Sequence, residues 1–192
     1  HLPGVGNNLQ DHLDVMVVQK SLKRVAYNLG WLNLCRAPWQ AMRYLLKRDG
    51  TLTTNGAEAG AFIKSGAHQP VPDLQLIFTP CQLKDHGRDL SFMRGQGYSL
   101  HVCDLRPLSR GSVSLASADP LQPPAICANY LSHPVDVAKM IEGVKHARRV
   151  LSQSVMDAYR GDEIFRARPL KVMRISSSSY AITPSPPATR WA

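Results

Sequence analysis

Residues 2–14 read Leu-Pro-Gly-Val-Gly-Asn-Asn-Leu-Gln-Asp-His-Leu-Asp, and the rest of the chain is organised around them. The prolyl and glycyl residues at their start favour a tight turn, because glycine reaches backbone conformations that other residues avoid. Five hydrogen-bonding side chains follow within six positions: Asn7, Asn8, Gln10, Asp11 and His12. An apolar run begins at Val15. Such a polar cluster between a glycine turn and a strand can form a binding site; a solvated loop with an Asx turn is the alternative.

The pattern beyond this stretch predicts an α+β fold, an antiparallel sheet with covering helices. Predicted strands cover residues 14–20, 57–64, part of 70–80, 98–105 and 112–115, the last two as an antiparallel, hairpin-like pair. Predicted helices cover residues 38–48, with Pro38 in the first turn, and 134–153, with Ser132 as candidate N-cap. The stripe Trp39, Met42, Leu45 and Leu46 is interpreted as core, and so is the face Val137, Ile141, Val144 and Leu151.

The strand predicted at residues 57–64 is built from small residues, which allow a ring or another strand to approach the backbone closely. Glu58 is the only acidic residue in it, and a loop containing Asn55 precedes it. The carboxylate of Glu58 is either exposed to solvent or faces a polar cavity. The residues alone leave both alternatives open.

The composition is that of a globular protein, with 44% hydrophobic and 19% charged residues among 192. The net charge of +9 raises the question of nucleic-acid binding. Residues 166–192 hold five basic and no acidic residues, which leaves 18 basic and 14 acidic residues in 1–165. That balance, without a basic stripe or a stacking motif, predicts no nucleic-acid partner.

The four cysteines, Cys35, Cys81, Cys103 and Cys127, are widely spaced and form no Cys-x-x-Cys pair. This spacing favours reduced thiols in a cytosolic protein over a disulfide framework or a zinc site, and we predict no metal. No run of about 18 uncharged apolar residues occurs, so no transmembrane helix is predicted.

The opening stretch is similar to the Pro-Gly-Val-Gly-x-Asn-Leu-Gln-Asp-His segment of the glucose–methanol–choline family of flavin oxidoreductases. The Glu-Ala-Gly-Ala-Phe segment from Glu58 and the Ser-Arg-Gly-x-Val-x-Leu-x-Ser-x-Asp-Pro segment from Ser109 match in the same order. The resemblance points to the branch of choline-dehydrogenase-like alcohol dehydrogenases. Residues 84–88, 97–105 and 120–124 look like bacterial enzymes that oxidise medium-chain aliphatic alcohols and pass electrons to a membrane quinone.

The resemblance implies FAD, which takes hydride from the alcohol carbon while a histidine removes the hydroxyl proton. It places Gly6, Asn8, Gln10, Asp11 and His12 beside the flavin, and Asn55, Glu58 and Ile77 along the substrate cavity. Relatives often carry histidine where Ile77 stands, so we expect a more apolar cavity wall. The implied location is cytoplasmic, with peripheral attachment to the inner membrane as an option.

By the same resemblance, residues 1–13 end the FAD-binding domain and residues 14–165 form the substrate-binding domain. The FAD fingerprint would lie before residue 1 and the catalytic histidine after residue 165. We therefore assign no catalytic residue and expect an internal fragment that holds no FAD and is inactive alone. A non-catalytic binding or interaction module is the alternative.

Residues 166–192 are predicted to be disordered and frameshifted. Acidic residues vanish after Phe165, serines run from Ser176 to Ser179, and no apolar period survives that could offset ordering entropy. Codons for the Pro-Gly-Pro-type and Tyr-His-Pro-Val segments of relatives, read one nucleotide later, give residues 166–169 and 182–185. A natural low-complexity tail is the alternative.

Overall fold

The computed structural model describes residues 2–24, 27–84 and 89–165, and these form two antiparallel sheets with two α-helices. The predicted disorder and frameshift of residues 166–192 concern a segment outside the described residues. The elements in chain order are β1 (Asn7–Leu9), β2 (Asp14–Ser21), α1 (Trp31–Lys47), β3 (Ala59–Ile63), β4 (Leu74–Thr79), β5 (Gly97–Asp104), β6 (Gly111–Ser114), β7 (Ala125–Cys127), α2 (Pro134–Leu151) and β8 (Arg160–Glu163). The predicted α+β class with an antiparallel sheet is confirmed.

The larger sheet has the strand order β3-β4-β5-β2-β8, and helix α2 covers one of its faces. Alternate residues of the three central strands point to this face, which is the main core. Gly143 sits at the closest approach of α2, because a Cβ added there would lie 2.5 Å from Cγ1 of Val102. The buried core cluster consists of Val17, Leu74, Leu76, Tyr98, Leu100, Val102, Met140, Ala147 and Leu151.

A buried charged network fixes the start of α2 against the end of β5. Nζ of Lys139 donates to Oδ1 of Asp104 at 2.5 Å, and both side chains are almost fully buried. Asp136 accepts from the backbone N–H of Leu108 at 2.9 Å and from that of Ser109 at 2.8 Å. Burial raises the pKa of Asp136, but these hydrogen bonds outweigh it, so the pKa lies below its ordinary value.

The smaller sheet, in the order β1-β6-β7, anchors the predicted glycine turn. The backbone N–H of Val113 donates to the carbonyl of Gly6 at 2.7 Å. Gly6 has a φ of +83°, and a Cβ there would lie 1.9 Å from the Val113 carbonyl oxygen. Glycine is therefore required at position 6, and the turn predicted there is confirmed.

Three details of the predicted elements are wrong. Helix α1 begins at Trp31 and contains Pro38 within it, because a proline removes only one backbone donor and the remaining turns persist. Strands β5 and β6 belong to different sheets. The segment between them forms hydrogen bonds from Leu108 and Ser109 to Asp136 and does not close a hairpin. The N-cap of α2 is His133, whose Nδ1 accepts from the backbone N–H of Val135 at 3.2 Å.

The predicted core faces of both helices also need correction. In α2 Leu151 is buried and Val144 packs against the core, as predicted, but Ile141 is 51% exposed. The buried side carries Met140, Gly143 and Ala147. The hydrogen bonds of Asp136 and Lys139 orient α2 so that the buried side of the helix packs against the sheet. The stripe predicted as core in α1 is exposed at Trp39, Met42, Leu45 and Leu46, since α1 does not cover the sheet.

Candidate functional site

The face of the larger sheet opposite α2, here named the polar face, carries mostly polar and small side chains. Strand pairing arranges them in three rows that cross the sheet. The residues, given strand by strand, are Gly60 and Phe62 of β3, Gln75, Ile77 and Thr79 of β4, Ser99, His101 and Cys103 of β5, and Asp14, Met16 and Val18 of β2. Two ionisable side chains and a thiol in adjacent rows make this face the strongest candidate site.

His101 and Asp14 form a close pair on the polar face. Nδ1 of His101 lies 2.6 Å from Oδ2 of Asp14, and the two side chains are only 11% and 12% exposed. A hydrogen on Nδ1, donated to this carboxylate, fixes the orientation of the ring. Nε2 is buried and has no hydrogen-bond partner within the described residues.

Cys103 completes this group without adding a nucleophile. Its Sγ donates to Oδ1 of Asp14 at 3.5 Å. Burial, followed by the nearby carboxylate of Asp14, raises the pKa of Cys103 to about 12. Because the thiolate is the reactive form, Cys103 is unreactive at neutral pH.

The residues predicted for the substrate cavity lie toward the edge strand β3. The hydroxyl of Tyr27 donates to Glu58 at 2.8 Å, and hydrogen bonds from Thr54 and Tyr27 hold the pKa of Glu58 below its ordinary value. Glu58 is exposed and ionised, and Oδ1 of Asn55 accepts from the N–H of Ala57 to close the preceding loop. Ile77 lies on the polar face, paired with His101 on β5.

The residues predicted to border the flavin lie beyond the other end of the polar face, before β2. Asn8 has a left-handed φ of 64°, and Asp11 accepts hydrogen bonds from the hydroxyl of Tyr130 and from its neighbour's N–H. Gln10 and His12 are exposed. Asp14, the first residue of β2, thus lies next to this cluster in the chain, in the row of Cys103 and Gln75. Glu58 precedes β3, and its backbone N–H donates to the carbonyl of Phe78 at 3.0 Å. The structure does not bring the two predicted groups together, and their roles stay predictions.

The pair of Asp14 with His101 is a feature that sequence reasoning missed. Strand alternation puts His101 on the same face as Ser99 and Cys103, and that was the available signal. The partner stands 87 residues earlier in the chain, so only the pairing of β2 with β5 reveals it.

All four cysteines are free, and the described residues contain no group of three or more His, Cys, Asp or Glu that could hold a metal ion. In the part of the chain that the structure describes, neither helix combines the length and apolarity needed to cross a bilayer.

Sequence comparison finds close relatives along most of the chain. Residues 107–182 match the GMC oxidoreductase family, so the match continues into the segment on which the frameshift prediction falls. An alcohol dehydrogenase [acceptor] of Pseudomonas putida is 42% identical over 163 residues, which cover 85% of this chain and 29% of that protein. An oxygen-dependent choline dehydrogenase of Staphylococcus haemolyticus is 35% identical over 164 residues, 85% of this chain and 28% of that one.

Solved structures confirm the same fold. Pyridoxine 4-oxidase from Mesorbium loti aligns with a TM-score of 0.66 at 18% identity, over 88% of this chain and 29% of the other. A formate oxidase aligns with a TM-score of 0.65 at 21% identity, over 86% of this chain and 33% of the other. The chain thus spans less than a third of the length of the curated relatives it matches.

Proposed function

We propose, from the confirmed resemblance of this chain to the glucose–methanol–choline oxidoreductases, that it is part of an FAD-dependent oxidoreductase acting on the CH–OH group of an aliphatic alcohol. The observation that carries the proposal is the 42% identity, over 85% of the chain, to a protein named alcohol dehydrogenase [acceptor]. A quinone-type compound is the proposed electron acceptor. A non-catalytic module is the competing reading.

The architecture supports a reaction on one side of the larger sheet. Helix α2 covers the apolar face, whereas the polar face is exposed along its β3 edge, at Gly60 and at Phe62, the latter 62% exposed. In the proposal this face is a wall of the cavity in which alcohol and cofactor meet. His101, held by Asp14, gives the wall a fixed polar position, and Ile77 beside it offers an apolar surface to an alkyl chain.

The residues before β2 fit a flavin as ligand. Asn8, Gln10 and His12 have exposed side chains with amide or imidazole N–H groups, which can donate to the carbonyl oxygens and ring nitrogens of such a molecule. FAD, when bound, supplies the hydride acceptor for alcohol oxidation. These residues would hold and orient its ring system, and Glu58 would contribute a negative charge at the far end of the cavity wall.

The test is to sequence the DNA on both sides of this coding region and to purify the protein that the whole locus encodes. We expect an upstream Gly-x-Gly-x-x-Gly segment, a visible flavin band, and reduction of a soluble quinone analogue that depends on added n-alkanols. A protein that binds no flavin and oxidises no alcohol contradicts the proposal and favours the module.

The same protein tests the cavity wall. Glu58→Gln should lower kcat/KM for alcohols by about tenfold, the order expected when one charged group near a reaction centre is neutralised. Glu142→Gln, an exposed carboxylate of α2 paired with Lys145, is the matched control and should leave kcat/KM unchanged. Equal kcat/KM values for the two variants would remove Glu58 from the site.

A further inference from the structure

A cavity of about 510 Å³ is lined by the first turns of helix α1 and by residues next to the ends of strands β2 and β5. The backbone N–H of Ser21, the last residue of β2, donates to the carbonyl of Gln96 at 2.9 Å, which holds these two strand ends together. The volume lies within the range of roughly 300–1,000 Å³ that is typical of small-molecule sites. No residue of the polar face lines this cavity, so it is separate from the candidate site described above.

Two arginines, Arg24 and Arg36, give the cavity a positive charge. No acidic residue lines it, and neither guanidinium forms an ion pair with any part of the chain that the structure describes. Asp49, two positions before the lining residue Thr51, is already bound by Arg43 through hydrogen bonds of 2.6 and 3.0 Å. The positive end of the α1 dipole lies at the same cavity, without an acidic residue in its first turn. These charges favour an anion, and a guanidinium matches the geometry of a carboxylate or a phosphate.

Gln40 gives the same cavity an acceptor that still needs a donor. Its side-chain Oε1 has no exposed surface and forms no hydrogen bond within the described residues. A buried acceptor without a partner destabilises a folded protein, so such atoms are ordinarily hydrogen bonded. A ligand with an O–H or N–H group would satisfy this oxygen.

We propose that this cavity binds a small organic carboxylate that has an apolar body and a hydrogen-bond donor. Arg24 and Arg36 bind the carboxylate, Trp31 and Leu32 contact the apolar body, and Oε1 of Gln40 accepts from the donor. A carboxylate fits better than a phosphate, because it carries less charge and loses less hydration energy in a cavity with apolar walls. The site goes beyond the proposed oxidoreductase function and does not depend on it.

The test is isothermal titration calorimetry of the 192-residue chain with four probes that separate these features. We expect 4-hydroxybenzoate, which has all three, to bind at one site. Benzoate lacks the donor and should bind about fivefold more weakly, the order expected for one neutral hydrogen bond. The probe 4-hydroxybenzyl alcohol lacks the carboxylate and should bind at least tenfold more weakly. Inorganic phosphate that binds as tightly as 4-hydroxybenzoate contradicts an organic ligand, and absence of 4-hydroxybenzoate binding overturns the proposal.

The role of the arginines is tested by replacing Arg24→Gln together with Arg36→Gln, which should weaken 4-hydroxybenzoate binding at least tenfold. The matched control is Arg106→Gln with Arg149→Gln, which removes the same charge at two exposed positions that do not line the cavity. It should leave the affinity unchanged. Equal weakening in both pairs would show a general attraction of anions to a basic protein, and the proposal would be wrong.

The role of Gln40 is tested by Gln40→Leu. This variant should bind 4-hydroxybenzoate and benzoate equally, because the donor has lost its acceptor. It should be no less stable than the unchanged protein in urea, since the substitution removes a buried acceptor without a partner. A preference for 4-hydroxybenzoate that persists in this variant contradicts the assignment of Gln40. Circular dichroism checks that every variant is folded.

The protein encoded by the whole locus provides the remaining comparison. It should bind 4-hydroxybenzoate with the same dependence on Arg24 and Arg36, which would show that the cavity is open in the complete protein. If the chain binds this probe and the longer protein does not, another part of that protein fills the cavity and the proposal is wrong.

Discussion

Two kinds of constraint determine which amino acid can occupy certain positions in this chain. One is an unusual backbone conformation, and the other is a buried charge that must be hydrogen bonded. Gly6 illustrates the first, because its φ of +83° and its contact with the Val113 carbonyl leave no room for a side chain. Asp136 illustrates the second, because backbone and hydroxyl groups of residues 108–109 converge on its buried carboxylate. Both demands connect segments distant in the sequence, and both can be tested by one substitution.

Gly6→Ala should destabilise the protein by about 1–3 kcal/mol, the range for a strained left-handed residue. The added Cβ would collide with the Val113 carbonyl oxygen and separate β1 from β6. Urea unfolding measures the stability, and hydrogen exchange of the Val113 amide reports the lost pairing. Gly4→Ala is the control, since no atom lies within 4 Å of a Cβ there. Equal loss in both variants would contradict the explanation.

Asp136→Asn should lower the free energy of unfolding by about 2–3 kcal/mol at pH 7, because charge-assisted hydrogen bonds to a buried carboxylate are lost. The pKa of Asp136 is lowered in the folded state, so its stabilisation is present above the unfolded pKa and is lost as pH falls through the folded value. The difference between the two proteins should therefore narrow below about pH 4. Glu142→Gln, at an exposed ion pair, should cost much less, and a pH-independent difference for Asp136→Asn would contradict this account.

The two helices show how an element acquires its role from its surroundings. Helix α2 covers the larger sheet because Gly143 permits close approach to Val102 and because Asp136 and Lys139 lock its first turn. Helix α1 has the stronger apolar stripe, yet it does not cover the sheet and its stripe is exposed. Amphipathic pattern alone therefore does not decide which face of which helix becomes core.

Gly143→Val should destabilise the protein by about 1–3 kcal/mol, the typical cost of overpacking a core. The new side chain must displace Val102 and Leu74, whose atoms lie 2.5 and 3.2 Å from the added Cβ. Thermal unfolding followed by circular dichroism measures the loss. Ala138→Val, at an exposed position of the same helix, is the control for helix propensity. A similar shift in both variants would show that close packing at Gly143 is not the cause.

At the scale of the whole molecule, the two faces of the larger sheet are buried to different extents. The apolar face is covered by α2, whereas the polar face is buried at Val18 and Ser99 and exposed along its β3 edge, at Gly60 and Phe62. Large groups of exposed apolar side chains usually mark surfaces that contact another molecule or another part of the same protein. In the proposed function, the exposed part of the polar face contacts a flavin and an alcohol.

The purified chain should carry no stoichiometric FAD. The sequence has no Gly-x-Gly-x-x-Gly turn, whose backbone N–H groups would bind the pyrophosphate. The measurement is a visible spectrum of the chain as purified and again after incubation with FAD and gel filtration. The protein encoded by the whole locus, treated identically, is the comparison. A full flavin band on the 192-residue chain would overturn this expectation.

The sequence by itself determined the α+β class, five of the eight strands in the described residues, the glycine turn and the family resemblance. These depend on local quantities: alternation of apolar residues, backbone freedom of glycine, and short motifs that stand in a fixed order. Candidate positions such as Gly6, Glu58 and Ile77 could be named for the same reason, although their roles came from the resemblance and await experiment.

Only the tertiary structure decided which side chains meet. The pair of Asp14 with His101 required β2 to lie against β5, and the buried Lys139 required α2 to reach the end of that strand. Long-range packing likewise decided three further features. It placed β5 and β6 in separate sheets, left the apolar stripe of α1 exposed and determined which side of α2 is buried. Spacing along a chain fixes periodicity, but it carries no information on which of several apolar surfaces the fold will bury, because burial is a property of the elements brought together.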